Sequence, residues 1–372
     1  MIYLDNAATT IHKPEEMSKA FLESLTQGNA GRGLSDSSLD AARRIFLTRM
    51  KLAEFFDAEV NRTIFTMNAS HSLNIAIMGL LSEEDRVLTS CLEHNSVLRP
   101  LYALEEEGMK LDVFTPQGKS ITKEDVERHL CKDTSAVVLT HASNVIGGLS
   151  EIGEIGRLCK KKGLLFIVDA SQTAGVFPVS VKEDHISALC FTGHKALMGP
   201  QGTGGLCLGE GVNPKPLLRG GTGVHSYDKD MPPSFPDRLE AGTLNGHGIA
   251  GLGGSLEYIL REGIDTLRKK EQHLAGLFYD GVKDMDGITI YSEDPRSGVA
   301  IVTLNVRDED SGVISDKLMH DYGIATRPGA HCAPLVHKML GTVEQGAVRF
   351  SFCHNNTEED VQAALNALKN FL

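Results

Sequence analysis

Positive charge is scarce in this sequence: 37 lysines and arginines stand against 49 aspartates and glutamates, for a net charge of −12. A surface of that sign repels phosphate backbones and anionic lipid, so direct nucleic-acid binding is not expected. No apolar run approaches the roughly 18 residues that a membrane-crossing helix needs, so no membrane association is expected either. The opening Met1-Ile-Tyr-Leu-Asp-Asn6 has no basic stretch followed by an apolar core, which predicts a mature, cytoplasmic protein. C-x-x-C spacing is missing as well. The seven cysteines (Cys91, Cys131, Cys159, Cys190, Cys207, Cys332 and Cys353) are odd in number and scattered, which argues against a disulfide framework or a structural zinc site and predicts reduced thiols, mostly in cores. No glycine cluster completes G-x-G-x-x-G, neither Gly202-Thr-Gly-Gly nor Gly251-Leu-Gly-Gly, so a dinucleotide is disfavoured. Gly118-Lys119-Ser120 resembles the tail of a P-loop, but Val113 occupies the place of its first glycine, and the segment reads as a turn. Internal repeats and low-complexity tracts are absent.

What remains is a globular composition, 41% apolar and 23% charged, over 372 residues. At roughly 150 residues per domain that suggests two or three domains. Short β-branched runs alternate with helical patterns from about residue 60 to 250: Thr63-Ile-Phe-Thr, Arg86-Val-Leu-Thr, Ala136-Val-Val-Leu-Thr, Leu164–Val168 and Ala188–Phe191. Strands apolar on both faces and separated by helices imply a mostly parallel sheet covered on two sides. The texture changes after about residue 255, with a long helical stretch Ser255–Val282, a strand Val299–Val306, a helix Ser311–His320, a strand Ala347–Cys353 and a last helix entered through a capping box at Thr357. The expected organisation is a large α/β domain over 16–255 and a smaller α+β domain made of 1–15 and 256–372. The Gly- and Pro-rich Leu218–Asn245 is too long for an ordinary connection and reads as a functional excursion or subunit contact.

Chemistry gathers at the predicted strand ends. One strand ends in Asp169-Ala-Ser-Gln172 and the next in Thr192-Gly-His-Lys195. In an open α/β sheet those ends line the ligand crevice, so a carboxylate and an amine one strand apart face the same ligand. Pyridoxal phosphate needs that pair: a lysine for the Schiff base to its aldehyde, and an aspartate to keep its ring nitrogen protonated. Taken singly, Asp169 is as readily a helix cap and Lys195 a solvated surface amine. The neighbours favour the ligand. Thr66-Met-Asn-Ala-Ser70 closes a strand and opens a helix, a place suited to a phosphate. Thr192 and His194 add donors beside the lysine, His94 is placed to lie over an aromatic ring, and Asn144 to reach its edge.

Several segments together, Tyr3-Leu-Asp-Asn-Ala-Ala-Thr9, Glu93-His94-Asn-Ser, Ser143-Asn144-Val-Ile-Gly147, Asp169-Ala-Ser-Gln172, Thr192-Gly-His-Lys195, Glu240-Ala-Gly-Thr243, Arg327-Pro-Gly-Ala-His-Cys332-Ala and Val348-Arg349-Phe-Ser351, resemble the cysteine desulfurases. These belong to the class V aminotransferase branch of fold-type I pyridoxal phosphate enzymes, and the resemblance runs in order along nearly the whole chain. It implies Lys195 as the Schiff-base lysine, Asp169 as the ring-nitrogen partner, Gln172 as a contact to the ring hydroxyl, and His94 as the stacked histidine. It further implies Ala69, Ser70, Thr192 and His194 around the phosphate, Thr243 reaching the partner's phosphate in a homodimer, and Asn144 and Arg349 on the substrate, Arg349 as a bidentate fork to its carboxylate. Two departures stand out. Asn29-Ala-Gly-Arg32-Gly-Leu-Ser35 lacks the histidine many relatives carry there, and Ala69-Ser70 replaces a pair of threonines.

Cys332 separates a desulfurase from an ordinary transaminase. It lies between Pro328-Gly329 and Pro334, in an expected mobile loop beside His331, and a thiolate is the nucleophile that takes sulfur from a substrate thiol. The resemblance is to the group with a compact cysteine loop, which passes sulfur to a dedicated acceptor protein, with iron–sulfur cluster assembly among its uses. The implied reaction turns L-cysteine into L-alanine and leaves a persulfide on Cys332. Alternatives are selenocysteine lyase acting on L-selenocysteine, a class V aminotransferase in which Cys332 is a bystander, and a non-catalytic pyridoxal phosphate scaffold for sulfur carriers.

Overall fold

The computed structural model describes residues 1–30, 33 and 35–372. Seven strands form its main sheet, in the spatial order Thr63–Thr66, Gly204–Leu208, Ala188–Thr192, Leu165–Asp169, Ala136–Thr140, Arg86–Ser90, Lys110–Phe114. Gly204–Leu208 runs antiparallel to both neighbours and the other pairings are parallel, so the sheet is the large, mostly parallel one expected. Alternation along each strand feeds two cores. Val137, Leu139, Phe166, Val168, Leu189 and Phe191 face one apolar cluster with Phe56 and Leu252, while Val138, Ile167 and Cys190 face another with Leu73, Ile77 and Leu101.

Two strands of this sheet escape sequence patterning. Lys110–Phe114 is an edge strand with polar residues outward, and Gly204–Leu208 opens on two glycines. Those glycines are a packing requirement. A Cβ on Gly205 would stand 2.3 Å from the Phe191 ring, and one on Gly204 would stand 2.8 Å from the Asn68 backbone.

The second unit holds an antiparallel sheet ordered Val348–Ser351, Ile301–Val306, Ile288–Ile290. It packs on the helices Ile264–Val282 and Glu358–Lys369 through Phe278, Phe350, Val302, Leu368 and, from the amino-terminal segment, Leu4. The Thr357 capping box is present, closed by Asp360. The continuous helix expected over Ser255–Val282 is two helices, Gly246–Glu262 and Ile264–Val282, because Gly263 takes φ +82° and turns the chain between them. From Leu218 to Leu244 the excursion runs as turns and bends. Among the described residues no helix is long and apolar enough to cross a membrane. Five cysteines are buried, Cys131 is half-buried and Cys332 is exposed.

Candidate active site

The parallel strands deliver their carboxyl ends to one rim of the sheet, and a cavity of 240 Å³ opens there. Ala69, Ser70, His94, Asn144, Asp169, Gln172, Thr192, His194 and Lys195 all line it, nine of the residues expected at the site. Asp169 ends its strand and is buried, with Oδ1 accepting from the Ser171 amide at 2.9 Å and from the Ser171 hydroxyl. Among the described residues nothing donates to Oδ2. Lys195 follows the next strand, its carbonyl accepting from the Thr10 hydroxyl at 2.8 Å and its ammonium having no hydrogen-bond or ion-pair partner among the described residues. Burial pushes that amine down to about 8; Asp169 opposes the shift, and Arg349 and Arg327 add to it. A substantial neutral fraction is therefore present near pH 8, as attack on a carbonyl requires.

Asn68 caps the helix Ala69–Leu80 by accepting the His71 N–H at 2.9 Å, which leaves the Ala69 and Ser70 amides as open donors of the first turn. Among the described residues, Thr192 Oγ1 is buried without a partner. Open amides and an orphaned hydroxyl around a small cavity, together with a free carboxylate oxygen and a free amine, fit a phosphorylated pyridine aldehyde. The Ser70 hydroxyl meets Ser96 Oγ at 2.6 Å, and Ser96 Oγ lies 3.0 Å from His94 Nδ1. That same His94 nitrogen accepts the Ser96 amide at 3.0 Å, so in the neutral ring the proton sits on Nε2. Burial lowers the His94 pKa, which keeps the ring neutral near pH 7. His194 is pinned by Thr9 through Nδ1 at 3.0 Å, with its pKa pushed down to about 4 by burial, Lys195 and Lys13. Gln172 Nε2 donates to the Ala7 carbonyl at 3.3 Å.

Arg349, Cys332 and Thr243 stand off this wall. Arg349 is 2% exposed, and its terminal nitrogens already donate to Asp5 Oδ1 at 2.8 Å and to the Asn144 carbonyl at 2.9 Å, leaving Nε unpaired. The guanidinium is thus set in place before any substrate arrives. Cys332 is exposed, but the backbone of its loop is tied down rather than loose: the Cys332 carbonyl accepts the Asn95 amide at 2.7 Å and the His331 carbonyl accepts from Asn144 Nδ2 at 2.9 Å. One tether comes from Asn144 on the cavity wall and the other from Asn95, next to the wall residue His94. Thr243 is exposed and lines a separate cleft of 1120 Å³ with Ile45, Phe46 and Asn245. Of Asn29–Ser35, Gly31, Arg32 and Leu34 lie outside the described residues.

Sequence reasoning passed over three residues. Asp5 orients Arg349 and was visible only as part of the Leu-Asp-Asn segment. Glu240 forms a buried two-pronged pair with Arg49 at 2.6 and 2.9 Å and accepts the Phe65 amide at 2.7 Å, which fixes the turn before Thr243. Glu93 is fully buried beside His94, accepting from Ser90 Oγ at 2.6 Å with Oε2 unpaired, and burial pushes it up to about 8. The signal for Glu93 was an acid just past the strand Arg86–Ser90, directly after Cys91 and Leu92.

Comparison with known proteins gives the family. The family model described as aminotransferase class-V matches residues 2–364. A protein of Methanothermobacter thermautotrophicus named "Probable cysteine desulfurase" is 34% identical over 370 residues, covering 97% of this chain and 92% of that one. Cysteine desulfurase CsdA of Escherichia coli is 31% identical over 382 residues, covering 99% and 93%. The apo structure of a cysteine desulfurase from Thermococcus onnurineus NA1 superposes with a TM-score of 0.91 at 31% identity, covering 99% of this chain and 94% of that one. With its strand-end lysine and aspartate on one cavity and residues 2–364 matched by the family model, the chain belongs to the aminotransferase class-V family.

Proposed function

We propose that the protein is a pyridoxal phosphate-dependent cysteine desulfurase that converts L-cysteine to L-alanine and receives the sulfur on Cys332. The observation that carries this reading is the convergence of the Lys195 amine, the open oxygen of Asp169 and the first turn of Ala69–Leu80 on one cavity, with the Cys332 loop bonded to that cavity's neighbours. Lys195 would hold the cofactor and Asp169 its ring nitrogen, while the Ala69 and Ser70 amides, Thr192 and His194 would hold its phosphate. When bound, pyridoxal phosphate supplies the sink for electrons released at the substrate.

The residues of this chain do the rest. Arg349, with Asn144, binds the substrate carboxylate. The neutral Lys195 amine removes the Cα proton and His94 moves protons through Nε2. The Cys332 thiolate attacks the substrate sulfur, a new S–S bond forms as the substrate Cβ–S bond breaks, and a proton delivered to Cβ completes alanine. The exposure of Cys332 supports delivery of the persulfide to an acceptor protein and disfavours a bystander role.

The same reading includes a homodimer in the cytoplasm. Thr243 is turned away from its own cofactor cavity, and Phe46 (54% exposed) and Leu47 (51%) leave the helix Asp36–Phe55 uncovered beside the Thr243 cleft. The test is product analysis of the purified holoenzyme given L-cysteine and a thiol reductant, beside Cys332→Ala. Alanine and sulfide from the parent, with loss of roughly a hundredfold or more in the variant, are expected, since the methyl group offers no nucleophile. Glutamate-dependent amino transfer, or a variant as fast as the parent, would sink the proposal. Selenocysteine, whose selenium departs more readily, tests the lyase alternative in the same variant.

A further inference from the structure

Behind the Cys332 loop lies a buried chain of three polar side chains that the reaction above does not use. Thr342 Oγ1 lies 2.8 Å from His337 Nδ1, His337 Nε2 lies 3.2 Å from His331 Nδ1, and His331 Nε2 lies 3.0 Å from the Arg327 carbonyl. His331, His337 and Thr342 are 4%, 1% and 2% exposed, and the two imidazoles stack at 5.4 Å with 17° between their planes.

The direction of every bond is determined. A carbonyl oxygen only accepts, so His331 Nε2 carries the hydrogen; in a neutral ring its Nδ1 is then an acceptor. His337 Nε2 must therefore donate, which makes His337 Nδ1 the acceptor of the Thr342 hydroxyl. One tautomer on each ring satisfies every atom, and any other leaves two donors or two acceptors facing each other.

This chain ends on a residue held in an unusual backbone conformation. His331 and Cys332 have φ of +52° and +57°, two consecutive left-handed residues that are not glycine. Such a conformation persists only where the surroundings over-determine it. The Asn144 and Asn95 bonds hold the two carbonyls. The Arg327 carbonyl holds one nitrogen of the His331 ring and the chain through His337 and Thr342 holds the other, and with the ring they set the direction in which the next residue's side chain leaves the backbone.

We propose that His337 and Thr342 are positioning residues that act through the His331 ring to aim the Cys332 thiol at the substrate sulfur. The proposal rests on the reading of Cys332 as sulfur acceptor. His337 touches neither substrate nor cofactor, so its loss slows sulfur transfer without weakening the binding of cysteine.

The test compares parent, Cys332→Ala, His337→Leu, His337→Gln and Thr342→Val holoenzymes. His337→Leu removes the donor to His331 Nδ1; His337→Gln keeps one on a side chain of comparable reach. For His337→Leu, kcat for alanine from cysteine is expected to fall roughly tenfold, the effect of leaving one buried acceptor unpaired, with KM unchanged. Alkylation of Cys332 by iodoacetamide, followed by peptide mapping, is expected to accelerate as the loop loosens. His337→Gln should restore both to within about threefold of the parent, an amide donor replacing the imidazole one. Thr342→Val keeps both rings and should lose roughly two- to fivefold in kcat, and it carries the test alone if His337→Leu does not fold. Parent-like kcat and alkylation in His337→Leu, or in Thr342→Val where that variant stands alone, overturns the proposal. So does a loss in His337→Leu that His337→Gln fails to rescue, which would mark mere packing. Full turnover in Cys332→Ala instead removes the sulfur-acceptor reading itself.

Discussion

Glu93 is a carboxyl group whose burial makes it an acid of about 8 in the folded protein against 4.5 in an open chain. Desolvation is the main cause, the Ser90 hydroxyl and the Thr140 amide oppose it, and the negative charge of Asp169 adds to it. The raised value fixes the sign of its effect on stability. Below pH 4.5 both states are protonated and the group is neutral in the balance. As pH rises from there to 8 the unfolded chain releases the proton and the folded one keeps it, so stability falls; above 8 the loss is constant. With 1.36 kcal/mol per unit, the loss is about 1 kcal/mol at pH 5, about 3 at pH 7 and about 4 at pH 8.

Glu93→Gln removes the titration while keeping the shape. The amide oxygen can keep the bond from the Ser90 hydroxyl. Denaturant unfolding of both proteins at pH 5, 6, 7 and 8 isolates the effect, because every other titrating group cancels in the difference. The variant is expected to gain on the parent by about 2 to 3 kcal/mol between pH 5 and 7 and by about 1 more up to pH 8. A difference that stays flat with pH would show that Glu93 ionises normally.

Three further outcomes are expected. Borohydride reduction of the holoenzyme should leave the cofactor on the Lys195 peptide, and Lys195→Ala should release no alanine while the folded protein still binds some cofactor through the phosphate and ring contacts; label on another lysine would overturn the assignment. Glu240→Ala should cost about 3–5 kcal/mol, because it strands the buried Arg49 guanidinium and the Phe65 amide, and a thermal melt within a degree of the parent would contradict that.

The main sheet was legible because its strands are apolar on both faces and end in chemistry-bearing residues: Asp169, Thr192 and the Thr66–Ser70 turn mark their own positions. Gly204–Leu208 was not legible, since its opening glycines answer to Phe191 and the Asn68 backbone, neighbours that only the folded sheet supplies. The break at Gly263 was likewise hidden inside a helical pattern that continues on both sides.

The site divides in the same way. Local sequence marked the candidate residues, because Lys195, Asp169, His94 and Cys332 each sit in a short segment whose residue types together suit the proposed chemistry. Their states were decided by tertiary structure alone. The Lys195 amine falls to about 8 because burial strips its solvent and two arginines from the second unit add to the shift. Arg349 is aimed by Asp5, 344 residues away in sequence. The Cys332 loop is tied down by Asn95 and Asn144 and backed by His337. Charge, burial and hydrogen bonding act through space, so a residue's type is written in the chain while its protonation and aim depend on what folding places beside it.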